Sequence, residues 1–172
     1  MTSTGCWSGG KTMERADRIC RHPLWRDSME QIWDLERDRV FCRHDTAHCL
    51  DVARLAYIEA LEQGLTVPKE LIYAAALLHD VGRHLQYREG VPHDQGSAGI
   101  AETVLADCGF TPEERAEVRA AILGHRDRET GERRDLAGLL YRADKASRNC
   151  LFCEAEAACN WSPEKKNMIL KG

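Results

Sequence analysis

The most constraining feature of the sequence is its longest apolar stretch, Leu71 to Leu78, which runs directly into the pair His79-Asp80. The stretch is far shorter than the roughly 20 residues that a membrane-spanning helix needs. It is apolar on nearly every side of a helix, which predicts a helix buried inside a globular protein. The sequence therefore places a histidine and an aspartate at the end of a core helix, where a charge is costly unless it is paired or bound to a cation.

Helical periodicity dominates the rest of the chain, and convincing strand alternation is absent. The predicted helices cover 27–38, 46–63, 69–79, 95–108, 111–124 and 136–146, with a short last helix from Ser162. Asp45 is the expected cap of the second helix, and Thr111-Pro112-Glu113-Glu114 has the pattern of a capping box. The expected fold class is all-α, a compact helical bundle.

The apolar positions also predict which helix faces are buried. The helix over 27–38 should bury Met29, Ile32, Trp33 and Leu35. The helix over 46–63 should bury a stripe of Val52, Leu55, Ile58 and Leu61. We divide the chain into a flexible N-terminal tail (1–12), a helical core (13–148) and a cysteine-containing extension packed on that core (149–172).

Composition excludes several classes of protein. The chain has 172 residues with 43% apolar side chains, enough to bury a core without metal or disulfide staples. The formal net charge of -4 carries no basic excess, which argues against nucleic-acid binding. Without an apolar signal or span, we expect a cytoplasmic protein that is not bound to a membrane. In that compartment the eight cysteines are expected to be thiols or metal ligands, although oxidised pairs stay open.

One motif match is rejected. Residues 5–12 carry the letters of a phosphate-binding P-loop, G-x4-G-K-[ST]. Such a loop works only between a buried strand and a helix N-terminus. Only Met1 to Thr4 precede it, and no βαβ pattern follows, so a flexible tail explains these residues better than an ATPase site.

Histidines and aspartates recur at the ends of the predicted helices. The candidate metal ligands are His48, His79, Asp80, His93, His125 and Asp144. Nitrogen and oxygen ligands converging from separate helices suit Fe, Mn or Zn, and a shared carboxylate can serve two ions.

Three segments carry a resemblance to a known family. They are His48-x3-Val52-Ala53, then Ala75-Ala-Leu-Leu-His79-Asp80-Val-Gly, then Ala143-Asp144-Lys145. Over residues 40–148 the chain resembles the HD-domain superfamily of metal-dependent phosphohydrolases. The additional His93 and His125 are similar to those of its two-metal branch. In size and motif order the chain is similar to the YqeK-like proteins, which cleave dinucleoside tetraphosphates symmetrically.

The resemblance implies that His48, His79, Asp80 and Asp144 hold one metal ion. Asp80 would bridge to a second ion held by His93 and His125. The implied activity is hydrolysis of a phosphate ester or anhydride, in a nucleotide or dinucleotide polyphosphate, by metal-activated water. One or two divalent ions per chain are expected, with Fe or Mn favoured and Zn, Co or Ni also suitable.

Further roles follow from the neighbours of these ligands. Asp80 and Lys145 are the expected catalytic residues; the expected substrate-binding residues are Arg43, Arg83, His84 and Lys145. His84 competes with His93 as a ligand. His44 is open as a ligand, a substrate contact or a surface residue.

Two other functions remain open at this point. Some HD-domain proteins use the same ligands as di-iron oxygenases of small organic substrates, and a non-catalytic metal-binding interaction module is a third reading. A small phosphate-containing molecule is the expected partner, and formation of a homodimer stays open.

A second cluster is Cys150-x2-Cys153-x5-Cys159. Three cysteines at this spacing could hold structural Zn or an iron–sulfur cluster if Cys20 or Cys42 added a fourth ligand, but a disulfide or plain thiols are the alternatives. Cys49 and Cys108 are expected in the core. Trp33 and Trp161 are expected to be packing residues, not platforms for stacking a base.

Overall fold

In a computed structural model, which describes residues 13–171, the chain folds into eight α-helices. They are α1 (Glu14–Arg21), α2 (Pro23–Leu35), α3 (Thr46–Glu62), α4 (Lys69–Leu78), α5 (Arg83–Glu89), α6 (His93–Asp107), α7 (Pro112–Gly124) and α8 (Leu136–Ala146). A short 3₁₀ segment, Arg128–Glu132, lies between α7 and α8. Three more follow α8, at Cys150–Phe152, Glu156–Ala158 and Pro163–Lys165. No strand forms within the described residues, so the all-α prediction is confirmed. The expected tail 1–12, with its P-loop letters, lies outside them.

Helix α4 is the centre of the bundle, as its apolar stretch predicts. It packs against α1, α3, α6, α7 and α8. Its apolar side chains from Leu71 to Leu78, apart from the half-buried Tyr73, are at most 2% exposed. Because α4 ends at Leu78, His79 and Asp80 follow while still inside the protein, with 0% and 3% exposure. None of the described helices is long and apolar enough to cross a membrane.

The buried face of α3 differs from the predicted stripe. Ile58 and Leu61 are 39% and 62% exposed, so their expected burial was wrong. Val52 is buried as predicted, and the other buried positions are His48 and the small residues Cys49, Ala53, Ala56 and Ala60. Small side chains let the α3 backbone lie close to α4 and α8, and that close packing decides the face.

The N-terminal region also departs from expectation. Helix α1 and the start of α2 precede the predicted segment 27–38, and α2 begins after His22, whose ring accepts from the Leu24 N–H. Trp33 and Leu35 are 55% and 42% exposed, so their predicted burial was wrong. The packing tryptophan of this helix is Trp25, which is buried and donates its indole N–H to the Leu77 carbonyl at 2.8 Å.

The C-terminal extension has little regular structure. The predicted last helix at Ser162 is only the single turn Pro163–Lys165. The side-chain amide of Asn167 donates to the carbonyls of Lys145 and Ala146, the last residues of α8, and to that of Arg148 just after it. One polar side chain thus ties the far end of the extension to the end of α8.

The capping box at Thr111 is confirmed, and its loss should be measurable. The Thr111 hydroxyl accepts from the Glu114 N–H, and the Glu114 carboxylate accepts from the Thr111 N–H at 2.9 Å. Thr111→Ala should cost about 1 kcal/mol of folding free energy. For a chain of this size, that lowers Tm by about 2–4 °C in a thermal melt. Thr103→Ala on an exposed position of α6 is the matched control and should leave Tm unchanged or slightly raised.

Candidate metal centre

The helices bring all six candidate ligands to one buried place. His48 lies in the first turn of α3, His79 and Asp80 follow α4, His93 begins α6, His125 follows α7, and Asp144 lies in α8. They form two groups whose ligand atoms lie within 4.8 Å of one another. The first group is His48, His79, Asp80 and Asp144; the second group is Asp80, His93 and His125. Either group could hold a metal ion, and Asp80 belongs to both.

The two carboxylate oxygens of Asp80 face different groups. Oδ2 lies 3.2 Å from His79 Nε2 and 3.6 Å from His48 Nε2. Oδ1 lies 3.4 Å from His93 Nε2 and 4.0 Å from His125 Nε2. The sequence alone places Asp80 at the end of a helix; the structure adds that it lies between the two histidine clusters, one oxygen toward each.

The histidine rings are held so that Nε2 points into the centre. His79 Nδ1 lies 2.7 Å from the Ala76 carbonyl, His125 Nδ1 contacts the Ile122 carbonyl, and His93 Nδ1 lies 2.7 Å from the Gln86 side-chain oxygen. These oxygens can only accept, so each ring carries its hydrogen on Nδ1 when neutral. The Nε2 lone pair is thereby directed at the neighbouring ligands, as in metal-binding histidines.

His48 is oriented by the turn after α8. The Ser147 hydroxyl donates to the Asp144 carbonyl and lies 3.2 Å from His48 Nδ1, from which it accepts. A guanidinium N–H of Arg148 lies 3.2 Å from His48 Nε2. That last contact has to give way when Nε2 binds a cation, so Arg148 would have to shift when a metal binds.

Three ligand atoms at the middle of the centre lack a hydrogen-bond partner in the part of the chain that the structure describes. His79 Nε2 and both oxygens of Asp80 are buried and make no hydrogen bond within the described residues. An unsatisfied buried polar group costs about 1–3 kcal/mol, and more when it is charged. A nitrogen and oxygen donor set of this kind suits a divalent cation, so the residues fit a bound metal.

The pKa values of the histidines also fit a metal-binding site. Although burial opposes it, the Asp80 and Asp144 carboxylates raise the pKa of His79 to about 10. Burial lowers the pKa of His93 to about 3 and that of His125 to about 4, which keeps both rings neutral and able to coordinate. The Asp80 and Asp144 carboxylates therefore favour positive charge next to His79, where a bound cation could take the place of the proton.

The predicted cationic residues divide into two sets. Arg83 Nε lies 3.0 Å from Asp80 Oδ1, and the Lys145 ammonium donates to Asp144 Oδ2 at 2.6 Å and to the His125 carbonyl at 3.0 Å. Arg43 instead donates to the carbonyls of Arg37 and Arg39 in the preceding loop, and is not brought to the ligands.

The two uncertain histidines are both buried, and neither belongs to a ligand group. His84 Nδ1 lies 2.8 Å from the Val81 carbonyl. His44 is 5% exposed, so the reading of it as a surface residue was wrong. Its Nε2 lies 4.0 Å from Asp80 Oδ2, next to the candidate ligands.

Sequence reasoning missed the residues that hold His44. Its Nδ1 lies 2.6 Å from Glu36 Oε1, which also accepts from the Tyr87 hydroxyl at 2.6 Å. Burial would raise the pKa of Glu36, but these hydrogen bonds lower it to about 2, so Glu36 is ionised. Only the tertiary fold brings Glu36 and Tyr87 together, and nothing in their sequence context marks them.

His44 also lines a cavity of about 240 Å³. Trp33, Arg43, Glu36 and Asp45 are among the residues that line it. The exposed Trp33 side chain is therefore one wall of a pocket beside the candidate metal centre.

Comparison with known proteins agrees with this geometry. A family model described as "HD domain" matches residues 46–152. A protein of Clostridium beijerinckii, described as an uncharacterized protein, is 46% identical over 132 residues, which cover 77% of this chain and 82% of the relative. No solved structure matches the chain.

Proposed function

The chain belongs to the HD-domain family, and we propose that it is a metal-dependent phosphohydrolase with a dinuclear centre. Proteins with this domain are generally metal-dependent phosphohydrolases. The proposed reaction is attack of water on a phosphate ester or anhydride of a nucleotide or dinucleotide polyphosphate. The observation that carries the proposal is Asp80, whose two oxygens face two separate histidine clusters.

The proposed division of labour uses the chain's own geometry. His48, His79, Asp80 and Asp144 would hold one divalent ion, Fe or Mn being favoured, and Asp80, His93 and His125 would hold the second. When bound, such ions lower the pKa of a water ligand and neutralise charge on phosphate oxygens. Lys145 positions Asp144 by its 2.6 Å hydrogen bond, which fixes one carboxylate of the first group.

Cationic side chains at the centre support an anionic substrate. Arg83, Lys145 and Arg148 all lie within 4.0 Å of the Asp80 or Asp144 carboxylates. A phosphate group that replaces these carboxylate contacts could accept charge-assisted hydrogen bonds from the same donors. A small uncharged organic molecule would form no charge-assisted hydrogen bonds with these three cationic side chains. Their presence therefore favours phosphohydrolase over oxygenase chemistry.

The cavity beside His44 supports a substrate with an aromatic part. The Trp33 ring forms one wall, and an exposed indole is a surface on which a nucleobase can stack. A nucleotide bound there would lie next to His44, whose Nε2 is 4.0 Å from Asp80 Oδ2. This proposal departs from the expectation that Trp33 is a packing residue, because its side chain is 55% exposed.

The proposed function is tested by a hydrolysis panel. The protein is loaded anaerobically with Fe²⁺ or Mn²⁺ and incubated with nucleotides and dinucleoside polyphosphates, and the products are separated by chromatography. Cleavage that disappears in Asp80→Asn supports the proposal. No cleavage of any substrate by protein that carries two ions per chain, with oxygen consumption on addition of an organic substrate, would instead establish the oxygenase.

Trp33→Ala tests the nucleobase wall separately from the metal centre. Stacking on an aromatic side chain is worth about 1–3 kcal/mol per base. The KM for a nucleotide should therefore rise about 5- to 150-fold, while metal content and kcat change little. Leu35→Ala is the matched control, since Leu35 is exposed on the same helix but does not line the cavity. An unchanged KM in Trp33→Ala would place the substrate elsewhere.

A further inference from the structure

A second group of metal-ligating side chains lies away from the His/Asp centre. Cys42, Cys150, Cys153 and Cys159 line one cavity of about 20 Å³. Cys42 comes from the loop before α3, and the other three come from the C-terminal extension. All seven cysteines within the described residues are free thiols. One cysteine from the loop before α3 thus lines the same small cavity as three cysteines of the C-terminal extension.

The size of this cavity suits a single ion. A space of about 10–15 Å³ is enough for one water molecule, so a cavity of about 20 Å³ has room for one small ion. Four cysteines, two of them in a C-x2-C pair, are the donor set of structural zinc sites. Cys20, the other candidate for a fourth ligand, does not line this cavity, whereas Cys42 does.

In the thiol form the cysteine sulfur atoms lie farther apart than in a metal-bound site. No three cysteine sulfurs of the described residues lie mutually within 4.8 Å. A tetrahedral site with Zn–S bonds of about 2.3 Å needs them closer. Cys42, Cys153 and Cys159 are only half-buried, so their side chains have room to change rotamer when an ion binds.

The extension gains little from burial of apolar surface. Its larger apolar side chains face solvent, with Phe152, Ile169 and Leu170 exposed by 70%, 67% and 76%. In the segment 150–171 only Cys150 is buried. A segment without a core of its own is stabilised by a cross-link, and a structural metal supplies one.

We propose that Cys42, Cys150, Cys153 and Cys159 bind one Zn²⁺ ion as thiolates, and that the ion fastens the C-terminal extension to the loop before α3. Binding releases the thiol protons to solvent. Lys166 lines the same cavity, where its ammonium is paired with the Glu156 carboxylate at 2.6 Å. The proposal does not depend on the proposed hydrolase activity.

The position of this site ties it to the His/Asp centre. Cys150 lies two residues after Arg148, and Cys42 directly precedes Arg43. Arg148 donates to the Arg43 carbonyl at 3.0 Å and contacts His48 Nε2 at 3.2 Å. The zinc ion would hold the segments that carry Arg43 and Arg148. Removal of the zinc ion should therefore make the position of Arg148 less fixed.

Cobalt is the probe that separates the two sites. The full-length chain carrying Asp80→Asn and Asp144→Asn, which weakens the His/Asp centre, is titrated with Co²⁺. We expect one ion per chain with thiolate-to-cobalt charge-transfer absorption and intense tetrahedral d–d bands, both abolished by added Zn²⁺. Adding Cys153→Ser should remove these bands, while Cys20→Ser, outside the cavity, should retain them.

Thiol accessibility tests the proposal in the unaltered chain, even if the double variant folds poorly. With Zn²⁺ bound, alkylation followed by mass spectrometry should leave Cys42, Cys150, Cys153 and Cys159 unmodified, and a chelator should expose them together. Absence of charge-transfer absorption, or equal alkylation with and without Zn²⁺, would overturn the proposal. Iron–sulfur absorption in protein isolated anaerobically would also overturn it.

Discussion

Asp80→Asn should abolish metal binding by both ligand groups and lower hydrolysis more than about a thousandfold. The asparagine keeps the shape of the side chain but removes the charge that faces both histidine clusters. A bound metal supplies several kcal/mol of transition-state stabilisation, and about 4 kcal/mol corresponds to a thousandfold rate. Metal per chain is measured by mass spectrometry after dialysis, and the rate is measured with the best substrate of the panel.

Variants that affect one group only make this prediction specific. Asp144→Asn should remove the metal of the first group, and His93→Gln should remove that of the second, each leaving the other ion in place. Asp94→Asn, beside His93 but outside both groups, is the matched control and should keep both ions. Circular dichroism should show the helices of all variants intact. Full metal content in Asp80→Asn would refute the assignment of Asp80 as the shared ligand.

Much of the bundle could be predicted because local signals and burial agreed there. The Asp45 cap accepts from the His48 N–H at 2.9 Å, and α8 has the predicted bounds. The apolar stretch up to Leu78 predicted both the central helix and the burial of His79 and Asp80. These features depend on short sequence patterns, which a single chain displays directly.

The features that sequence did not reveal depend on distant partners. The buried face of α3 is made of alanines such as Ala53 and Ala56, because α4 and α8 approach closely there. Glu36 and Tyr87 are unremarkable in sequence, yet together they hold His44 beside Asp80. Cys42 was one of two choices for a fourth thiol, and only the fold brings it to Cys150 and Cys153.

Gly82→Ala should be strongly destabilising, because a Cβ at this position would collide with the backbone of α6. A Cβ at Gly82 would lie 2.2 Å from the Ser97 nitrogen, 2.5 Å from the Gly96 carbonyl carbon and 2.8 Å from the His93 carbonyl oxygen. All three atoms belong to the backbone of α6, so no side chain can move aside. The φ angle of Gly82 is -82°, which any residue adopts, so the requirement for glycine is one of space.

The close approach of Gly82 to the α6 backbone also affects the distance between Asp80 and His93 in the second ligand group. Gly82 lies two residues after Asp80, and the backbone it touches includes His93, whose Nε2 is 3.4 Å from Asp80 Oδ1. Overpacking of this kind costs about 1–3 kcal/mol or more, and about 3 kcal/mol lowers Tm by about 6–12 °C. The second metal should also bind more weakly, because His93 moves away from Asp80.

Gly99→Ala separates crowding from the general effect of replacing a helical glycine. Gly99 lies on the same helix, α6, is exposed, and has open space where a Cβ would go. Alanine should stabilise that position by about 0.5–1 kcal/mol. Thermal melts should therefore show a lower Tm for Gly82→Ala and a higher Tm for Gly99→Ala. Metal analysis should show loss of metal only in Gly82→Ala. Equal Tm values would mean that α6 can move away from Gly82 at little cost, and the spacing of Asp80 and His93 would then depend on other contacts.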